Sequence, residues 1–237
     1  MKAARYVALV PAAGRGARFG AAHAKQYATL VGRPMIFHAV AALLGDTRIE
    51  QVFVALSADD AQWADYDWRA FGDQLVTLRC GGETRAETVL NALELLDARL
   101  ESDDWVLVHD AARPCLPAND LTRLIDELAG EPIGGLLAAP LADTLKRADA
   151  DRSVLETLPR DDLWRAQTPQ MFRFGILREA LRLALKGENA YAPTDEAGAL
   201  EALGHRPKLV AGSARNIKVT YPEDLAIAEL FLSKGPP

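Results

Sequence analysis

Short, unbroken apolar runs recur along the chain and alternate with segments that have the periodicity of amphipathic helices. Such runs are typical of strands covered on both faces, and their alternation with helices is the pattern of βαβ units. The predicted strands cover residues 7–10, 51–56, 75–78, 105–108, 135–139, 208–210 and 217–219. The helical stripes cover residues 89–100, 121–128 and 177–185, and a final helix is predicted to begin near residue 222. A mostly parallel sheet between two layers of helices follows.

A polar segment from residue 141 to about residue 163 interrupts this alternation. Two candidate strands, 143–147 and 153–157, flank residues 148–152, which is the pattern of a β-hairpin. No internal repeat, low-complexity tract or linker divides the 237 residues. We therefore predict one domain over residues 1–237 with a Rossmann-like, three-layer α/β fold, and an inserted hairpin arm at about 141–163.

Composition narrows the classes of function. The formal net charge of −6 argues against a general nucleic-acid binder, which needs a surplus of lysine and arginine. Apolar runs are all too short for a membrane span. Cys80 and Cys115 match neither a metal spacing nor a redox pair. We expect a cytoplasmic protein with no membrane and no nucleic-acid partner, in which an anionic ligand would bind where basic residues are concentrated.

A glycine-rich loop, residues 11–20, follows the first predicted strand. Glycines let backbone amides approach an anion closely, and this loop lies where ligands bind in open α/β sheets. The spacing Gly14-x-Gly16 does not complete the dinucleotide fingerprint, and residues 25–38 lack the expected acid. No Gly-Lys-Ser or Gly-Lys-Thr is present, so the loop is not a P-loop. A turn rich in small residues is the alternative, but Arg18 and Lys25 frame the loop and favour phosphate binding.

Other candidate residues follow later strands or begin helices. Asp110 comes just after the strand 105–108, where it could hold Mg²⁺ against phosphates or cap a turn. Arg113 could pair with that carboxylate or with a triphosphate. Thr84 and Glu87 form a capping-box pattern, and residues 194–196 have the pattern of a helix start.

Several short segments form an ordered set that covers nearly the whole chain. They are Pro11-Ala12-Ala13-Gly14-x-Gly16-x-Arg18, Lys25-Gln26-Tyr27, Gly81-Gly82-x-x-Arg85, Val108-His109-Asp110-Ala111-Ala112-Arg113-Pro114, Asp143-Thr144-x-Lys146, Trp164-x-x-Gln167-Thr168-Pro169-Gln170, Thr194-Asp195-Glu196 and Asn216-Ile217-Lys218-Val219-Thr220-x-Pro222-Glu223-Asp224-Leu225. Together they resemble the 2-C-methyl-D-erythritol 4-phosphate cytidylyltransferases of the non-mevalonate isoprenoid pathway.

This resemblance implies a reaction and a role for each matching residue. CTP and a polyol phosphate, methylerythritol phosphate, would be joined with release of pyrophosphate, and Mg²⁺ or another divalent cation would be held by Asp110. The residues implied in catalysis are Arg18, Lys25, Arg160 and Lys218. Those implied in nucleotide binding are Pro11, Ala12, Ala13, Gly14, Gly16, Gly82, Glu83, Thr88, Asp110 and Ala111. Those implied in binding the acceptor are Arg113, Thr144, Arg160, Thr194 and Lys218.

The resemblance also implies a homodimer in which the hairpin arms are exchanged, so that Thr144 and Arg160 serve the partner subunit's site. Three alternatives stay open at the level of sequence. The nearest is a ribitol-5-phosphate cytidylyltransferase, which shares the loop and the Asp110 region. The others are a nicotinamide oxidoreductase and a nucleotide-binding module without catalytic activity.

Overall fold

A seven-stranded sheet lies at the centre of the fold in the computed structural model, which describes residues 4–14, 24–187 and 189–233. The strands in chain order are β1 (Tyr6–Pro11), β2 (Thr29–Leu30), β3 (Arg33–Pro34), β4 (Ile49–Leu56), β5 (Leu75–Arg79), β6 (Trp105–Val108), β7 (Gly134–Pro140), β8 (Leu145–Ala148), β9 (Val154–Leu158), β10 (Trp164–Arg173) and β11 (Lys208–Ala211). The helices are α1 (Met35–Leu44), α2 (Arg85–Leu96), α3 (Ala118–Leu128), α4 (Phe174–Lys186), α5 (Glu196–Glu201) and α6 (Asp224–Ser233). Short 3₁₀ turns cover Lys25–Tyr27, Gln62–Asp65 and Arg69–Gln74.

The order of strands in the main sheet is β11-β7-β10-β6-β1-β4-β5. Strand β1 is central and pairs in parallel with both β4 and β6. Strand β10 is antiparallel to its neighbours β6 and β7, and it is the one reversed strand of this sheet among the described residues. The prediction of a mostly parallel three-layer α/β fold is confirmed.

Alternate residues of the central strand enter two different cores. Val7 and Leu9 pack on one face together with α2, α4 and α5, whereas Ala8 and Val10 pack on the other with α1 and α3. Both faces of β1 are therefore buried, which explains why the strand reads as a continuous apolar run. Full burial of an aliphatic side chain such as that of Leu9 contributes roughly 1.5–3 kcal/mol, so these two cores stabilise the sheet edge that carries the functional loops.

The polar segment between β7 and β10 contains an antiparallel hairpin, as its sequence pattern predicts. Strands β8 and β9 pair with each other and form a separate two-stranded sheet. Large apolar side chains are exposed on and beside this hairpin, among them Val154, Leu155 and Trp164.

The prediction of a strand over residues 217–219 is wrong. This segment makes one backbone hydrogen bond to the loop after β6: the Val219 amide donates to the Ala112 carbonyl at 2.8 Å. Its apolar residues Ile217 and Val219 instead pack in a small core with α6. The apolar character of the segment therefore reflects packing against a helix and not pairing in a sheet.

Candidate active site

A cleft of about 570 Å³ opens at the carboxyl ends of β1, β4, β5 and β6. This is the edge at which open α/β sheets bind their ligands, because the loops that follow parallel strands converge there. The residues that line the cleft are Pro11, Ala12, Ala13, Gly14, Lys25, Gln26, Met35, Ser57, Asp59, Gly82, Glu83, Thr84, Arg85, Thr88, Asp110, Ala111, Ala112 and Lys218. Loops that are far apart in sequence thus meet at one site.

The first part of the glycine-rich loop, from Pro11 to Gly14, forms one wall of this cleft. The loop leaves the sheet in line with β4, since the Ala12 amide donates to the Ala55 carbonyl at 2.8 Å. Gly16 and Arg18 lie outside the described residues.

Lys25 is anchored at the rim of the cleft by its neighbour. The buried Gln26 side chain donates to the Ala12 carbonyl at 2.8 Å, which ties the turn Lys25–Tyr27 to the first loop. The ammonium group of Lys25 donates to the Val219 carbonyl at 2.8 Å. Lys25 is therefore held beside the segment that contains Lys218.

The loop between β5 and α2 forms a second wall. A side chain at Gly81 would collide with Ala13 and the backbone of Ser57, so glycine is required for the two loops to pack together. Thr84 caps α2 in a capping box with Glu87, as the sequence predicts. This cap fixes the first turn of α2, which presents the following residues to the cleft.

The residues predicted to contact the nucleobase lie on this second wall. Glu83 is exposed to the cleft, and Gly82 lines it. The Thr88 side chain is buried, and its hydroxyl accepts from the Gly82 amide at 3.1 Å and donates to the Thr84 carbonyl at 3.0 Å. Thr88 therefore shapes the Gly82 loop, while the polar edge offered to a ligand comes from the loop itself.

Asp110 lies buried at the floor of the cleft between two cations. One of its carboxylate oxygens accepts from Arg85 Nε at 2.9 Å and the other from Lys218 Nζ at 2.7 Å. Burial alone would raise the pKa of Asp110, but the charges of Arg85 and Lys218 outweigh it and hold that pKa well below its usual range. The carboxylate is therefore ionised at neutral pH.

An ionised carboxylate that faces a phosphate site fits the part predicted for it in binding Mg²⁺. Magnesium is usually held by one or two carboxylates together with substrate phosphates, so one protein ligand is sufficient. Within residues 4–14, 24–187 and 189–233, no group of three or more histidine, cysteine, aspartate or glutamate side chains could form a site made of protein alone. Asp110 in the cleft meets the requirement for one such carboxylate.

His109 and Thr168 support the backbone of Asp110 from behind. The Asp110 amide donates to Thr168 Oγ1 at 3.0 Å, and that hydroxyl lies 3.0 Å from His109 Nδ1. His109 Nε2 lies 3.0 Å from the Arg113 carbonyl, so it donates there, and Nδ1 is the acceptor from Thr168. Burial lowers the pKa of His109 to about 4, which keeps the ring neutral and this pattern of bonds in place.

Arg113 lies beneath the cleft and does not line it. Its guanidinium donates to the Asn216 carbonyl at 2.6 Å, and its Nε lies 3.9 Å from Asp110 Oδ2. The pairing of Arg113 with Asp110 that the sequence suggested is thus present at long range. The shorter bond to Asn216 fixes the segment that leads to Lys218.

Three residues predicted on the acceptor side lie away from the cleft of this chain. Thr144 and Arg160 are exposed at the base of the hairpin, where the Arg160 guanidinium donates to the Ala142 carbonyl. Thr194 is exposed just before α5. None of the three lines the cleft formed by the described residues, whereas Lys218 does.

Sequence reasoning missed two members of the site, Arg85 and Glu196. Arg85 belongs to the Gly-Gly-x-x-Arg segment, whose pattern indicates no role for it, although it lines the cleft and pairs with Asp110. Glu196 lies in a segment with the pattern of an ordinary helix start, yet its carboxylate is 1% exposed and pairs with Arg85. The sequence signal that could have identified Arg85 is its position in the first turn of a helix that follows a glycine pair.

Comparison with known proteins identifies the family to which this architecture belongs. The family model described as IspD, 2-C-methyl-D-erythritol 4-phosphate cytidylyltransferase, matches residues 6–234. The chain belongs to this family. The 2-C-methyl-D-erythritol 4-phosphate cytidylyltransferase of Dechloromonas aromatica (strain RCB) is 58% identical over 228 residues, which cover 96% of this chain and 97% of that protein. The enzyme of the same name from Nitrosospira multiformis is 56% identical over 229 residues, covering 96% and 97%.

Solved structures with a similar fold have names that describe the same family. A crystal structure of a 4-diphosphocytidyl-2C-methyl-D-erythritol synthase matches with a TM-score of 0.83 and 39% identity, over 98% of this chain and 99% of that one. The 2-C-methyl-D-erythritol 4-phosphate cytidylyltransferase of Francisella tularensis matches with a TM-score of 0.81 and 34% identity, over 96% and 100%. As a member of this family the chain is a cytidylyltransferase, a kind of nucleotidyltransferase. Among the described residues, no helix has the length and apolar character needed to span a bilayer.

Proposed function

We propose that the chain transfers the cytidylyl group of CTP to 2-C-methyl-D-erythritol 4-phosphate, giving 4-diphosphocytidyl-2-C-methyl-D-erythritol and pyrophosphate. The family match supports both substrates, and it does not favour the alternative acceptor, ribitol 5-phosphate. One structural observation carries the proposal. Lys25 and Lys218 come from opposite ends of the chain and meet at one cleft, where Lys25 binds the Val219 carbonyl and Lys218 binds Asp110.

Charge stabilisation is the main chemical task of such a site. A phosphate oxygen of the acceptor forms a bond to the α-phosphorus of CTP, while the bond from that phosphorus to the bridging oxygen of the β-phosphate breaks. The leaving pyrophosphate takes the electron pair of the broken bond. Because negative charge accumulates on the triphosphate, catalysis depends on positioning and on fixed positive charge.

The donor side would be formed by the first loop and by Lys25. Amides of the loop from Pro11 to Gly14 would hold the triphosphate, and Lys25, with Arg18, would stabilise charge as the pentavalent centre forms. Asp110 would hold Mg²⁺, which when bound neutralises charge on the triphosphate and on the leaving pyrophosphate. Gly82, Glu83 and Thr88 would provide the edge that reads cytosine, with Ala111 beside the nucleotide.

The acceptor side would combine residues of two subunits. Lys218 would bind the acceptor phosphate, supported by Arg113, and Thr144 and Arg160 would be contributed by the arm of the partner. Thr194, which lies outside the cleft formed by the described residues of this chain, would have to approach the acceptor when it binds. The arm supports a homodimer, because a hairpin with Val154 and Leu155 more than half exposed has apolar surface to bury. We also propose a cytoplasmic location, which agrees with two cysteines that stay free.

Pyrophosphate release with CTP and Mg²⁺ tests this proposal. The acceptors to compare are methylerythritol phosphate, ribitol 5-phosphate and none. We expect release that depends on methylerythritol phosphate. A rate that requires ribitol 5-phosphate, or nucleotide binding without release with any acceptor, would instead support one of the other functions considered above.

A further inference from the structure

Glu196 is a buried acid whose position the helix that contains it does not explain. It is the first residue of α5 and is 1% exposed. Its neighbour Asp195 already caps this helix by accepting from the Gly198 amide at 2.9 Å, and Asp195 also accepts from Gln170 at 2.9 Å. A carboxylate is costly to bury without a cationic partner, so Glu196 requires a role other than capping.

That role is visible in its partner. The two oxygens of Glu196 accept from Arg85 Nη1 at 2.6 Å and from Nη2 at 3.1 Å, which is a bidentate pair of the strong, directional kind. The same guanidinium donates from Nε to Asp110 Oδ1 at 2.9 Å. Asp110 Oδ2 accepts from Lys218 at 2.7 Å. An ion-pair chain, Glu196–Arg85–Asp110–Lys218, thus runs from α5 to the cleft.

The direction of Arg85 follows from this geometry. Arg85 begins α2 and lines the cleft, where a free guanidinium would turn toward any phosphate that enters. Glu196 occupies both terminal nitrogens and leaves Nε directed at Asp110. The orientation of the Asp110 carboxylate, and through it the place of Lys218, therefore depends on a residue that lies behind the cleft wall.

We propose that Glu196 is a positioning residue for the transfer reaction: it fixes Arg85, which orients Asp110 and thereby places Lys218 for the acceptor phosphate. This role rests on the proposed function. Loss of the Glu196 charge disturbs Asp110 and Lys218, whereas the loop Pro11–Gly14 keeps its own anchor through Gln26.

Steady-state kinetics of three variants test the role. For Glu196→Gln, we expect kcat/KM for the acceptor to fall by roughly 10- to 100-fold, the range seen when a residue that orients a site's ligands is lost. The KM for CTP should rise as well, because Asp110 is also the residue proposed to hold the Mg²⁺ that binds with CTP. Glu196→Asp keeps the charge and should recover part of the loss. Glu201→Gln, at the exposed end of the same helix, is the matched control and should keep wild-type constants.

A double-mutant cycle with Arg85→Lys tests whether the effect runs through Arg85. Lysine keeps the charge but lacks the planar guanidinium fork, so Arg85→Lys should lower kcat/KM for the acceptor as Glu196→Gln does, and adding Glu196→Gln should then change little further. Additive losses, or a Glu196→Gln enzyme with wild-type constants, would overturn the proposal. If Glu196→Gln does not fold, Arg85→Lys decides alone, since wild-type constants in that folded variant would overturn the proposal equally.

Hydrogen exchange at Arg85 Nε separates this inference from the proposed function. The Nε–H resonance is identified by its loss in Arg85→Lys and is measured by NMR in protein without substrates. We expect slow exchange in the wild type and in Glu201→Gln, and faster exchange in Glu196→Gln. A wild-type protein without transferase activity would refute the proposed function, while unchanged exchange in Glu196→Gln would refute the positioning role.

Discussion

Replacement of His109 with glutamine tests how the buried network behind Asp110 responds to pH. Burial lowers the pKa of His109 from its ordinary value of 6.5 to about 4 in the folded protein. Between these values the unfolded chain binds a proton that the folded chain excludes. The folded state is therefore destabilised as the pH falls through this window, and the contribution of the neutral ring is fully present only above it.

The size of the effect follows from the difference in pKa. Each pKa unit corresponds to about 1.4 kcal/mol, so the full shift is worth about 3 kcal/mol. By linkage, about 2 kcal/mol of this should be lost between pH 7 and pH 5. Carboxylates whose pKa is held low, such as Asp110, lose their contribution to folding stability only below about pH 4. They therefore do not affect the change in stability between pH 7 and pH 5.

Urea unfolding followed by circular dichroism at pH 7 and pH 5 measures the loss. We expect the wild-type free energy of unfolding to drop more between these pH values than that of His109→Gln, by about 2 kcal/mol. Burial also lowers the pKa of His38, so His109→Gln should still lose some stability between pH 7 and pH 5. His205→Gln, which retains His109, should show the wild-type drop. Equal drops in His109→Gln and the wild type would refute the reasoning.

Three further predictions concern the site and its supports. Lys25→Ala should lower kcat by roughly 10²–10³, as for loss of one charge-stabilising donor, measured as pyrophosphate release at saturating substrates. An Arg160→Ala protein mixed with a Lys25→Ala protein should recover activity through hybrid dimers, because one of the two sites in a hybrid has both residues intact. Thr84→Ala should lower the free energy of unfolding by about 1 kcal/mol in urea, because the Glu87 amide loses its cap.

Each of these has an outcome that contradicts it. An unchanged kcat would show that Lys25 is a surface lysine, and Lys208→Ala, which removes a lysine paired with Glu131 far along the sheet, is the matched control. Failure of the mixed proteins to recover activity, with subunit exchange demonstrated, would mean that each site is built from one chain. A Thr84→Ala protein with wild-type stability would show that the capping box contributes nothing measurable.

The parallel strands could be predicted because burial on both faces produces continuous apolar runs. Strand β10 could not, since it contains Pro169 and buried polar side chains that interrupt the run. Those side chains have specific partners: Gln170 bonds with Asp195 and with the Ala197 amide, and Thr168 with the Asp110 amide. A sequence pattern does not distinguish a buried, satisfied glutamine from an exposed one, so a strand of this kind resembles a loop.

The loops that form the site could be predicted from the sequence, but the ion pairs between residues far apart in the chain could not. Loops that follow parallel strands converge, so the Pro11–Gly14 segment and Asp110 could be expected at one edge. The pairing of Arg85 with Glu196 joins residues 111 positions apart and leaves no local pattern in the sequence. The pairing of Lys218 with Asp110 was not predicted either, because family resemblance gave the two residues separate roles and an isolated lysine on an apolar segment is an ordinary surface feature.

An isotope experiment tests the central claim most directly. Methylerythritol phosphate with ¹⁸O in its phosphate group is incubated with CTP, Mg²⁺ and the enzyme, and the products are examined by mass spectrometry. If the acceptor phosphate attacks the α-phosphorus of CTP, all of the label is found in the diphosphocytidyl product, and the pyrophosphate carries none. Label in the pyrophosphate, or release of CMP without a diphosphocytidyl product, would contradict cytidylyl transfer by this site.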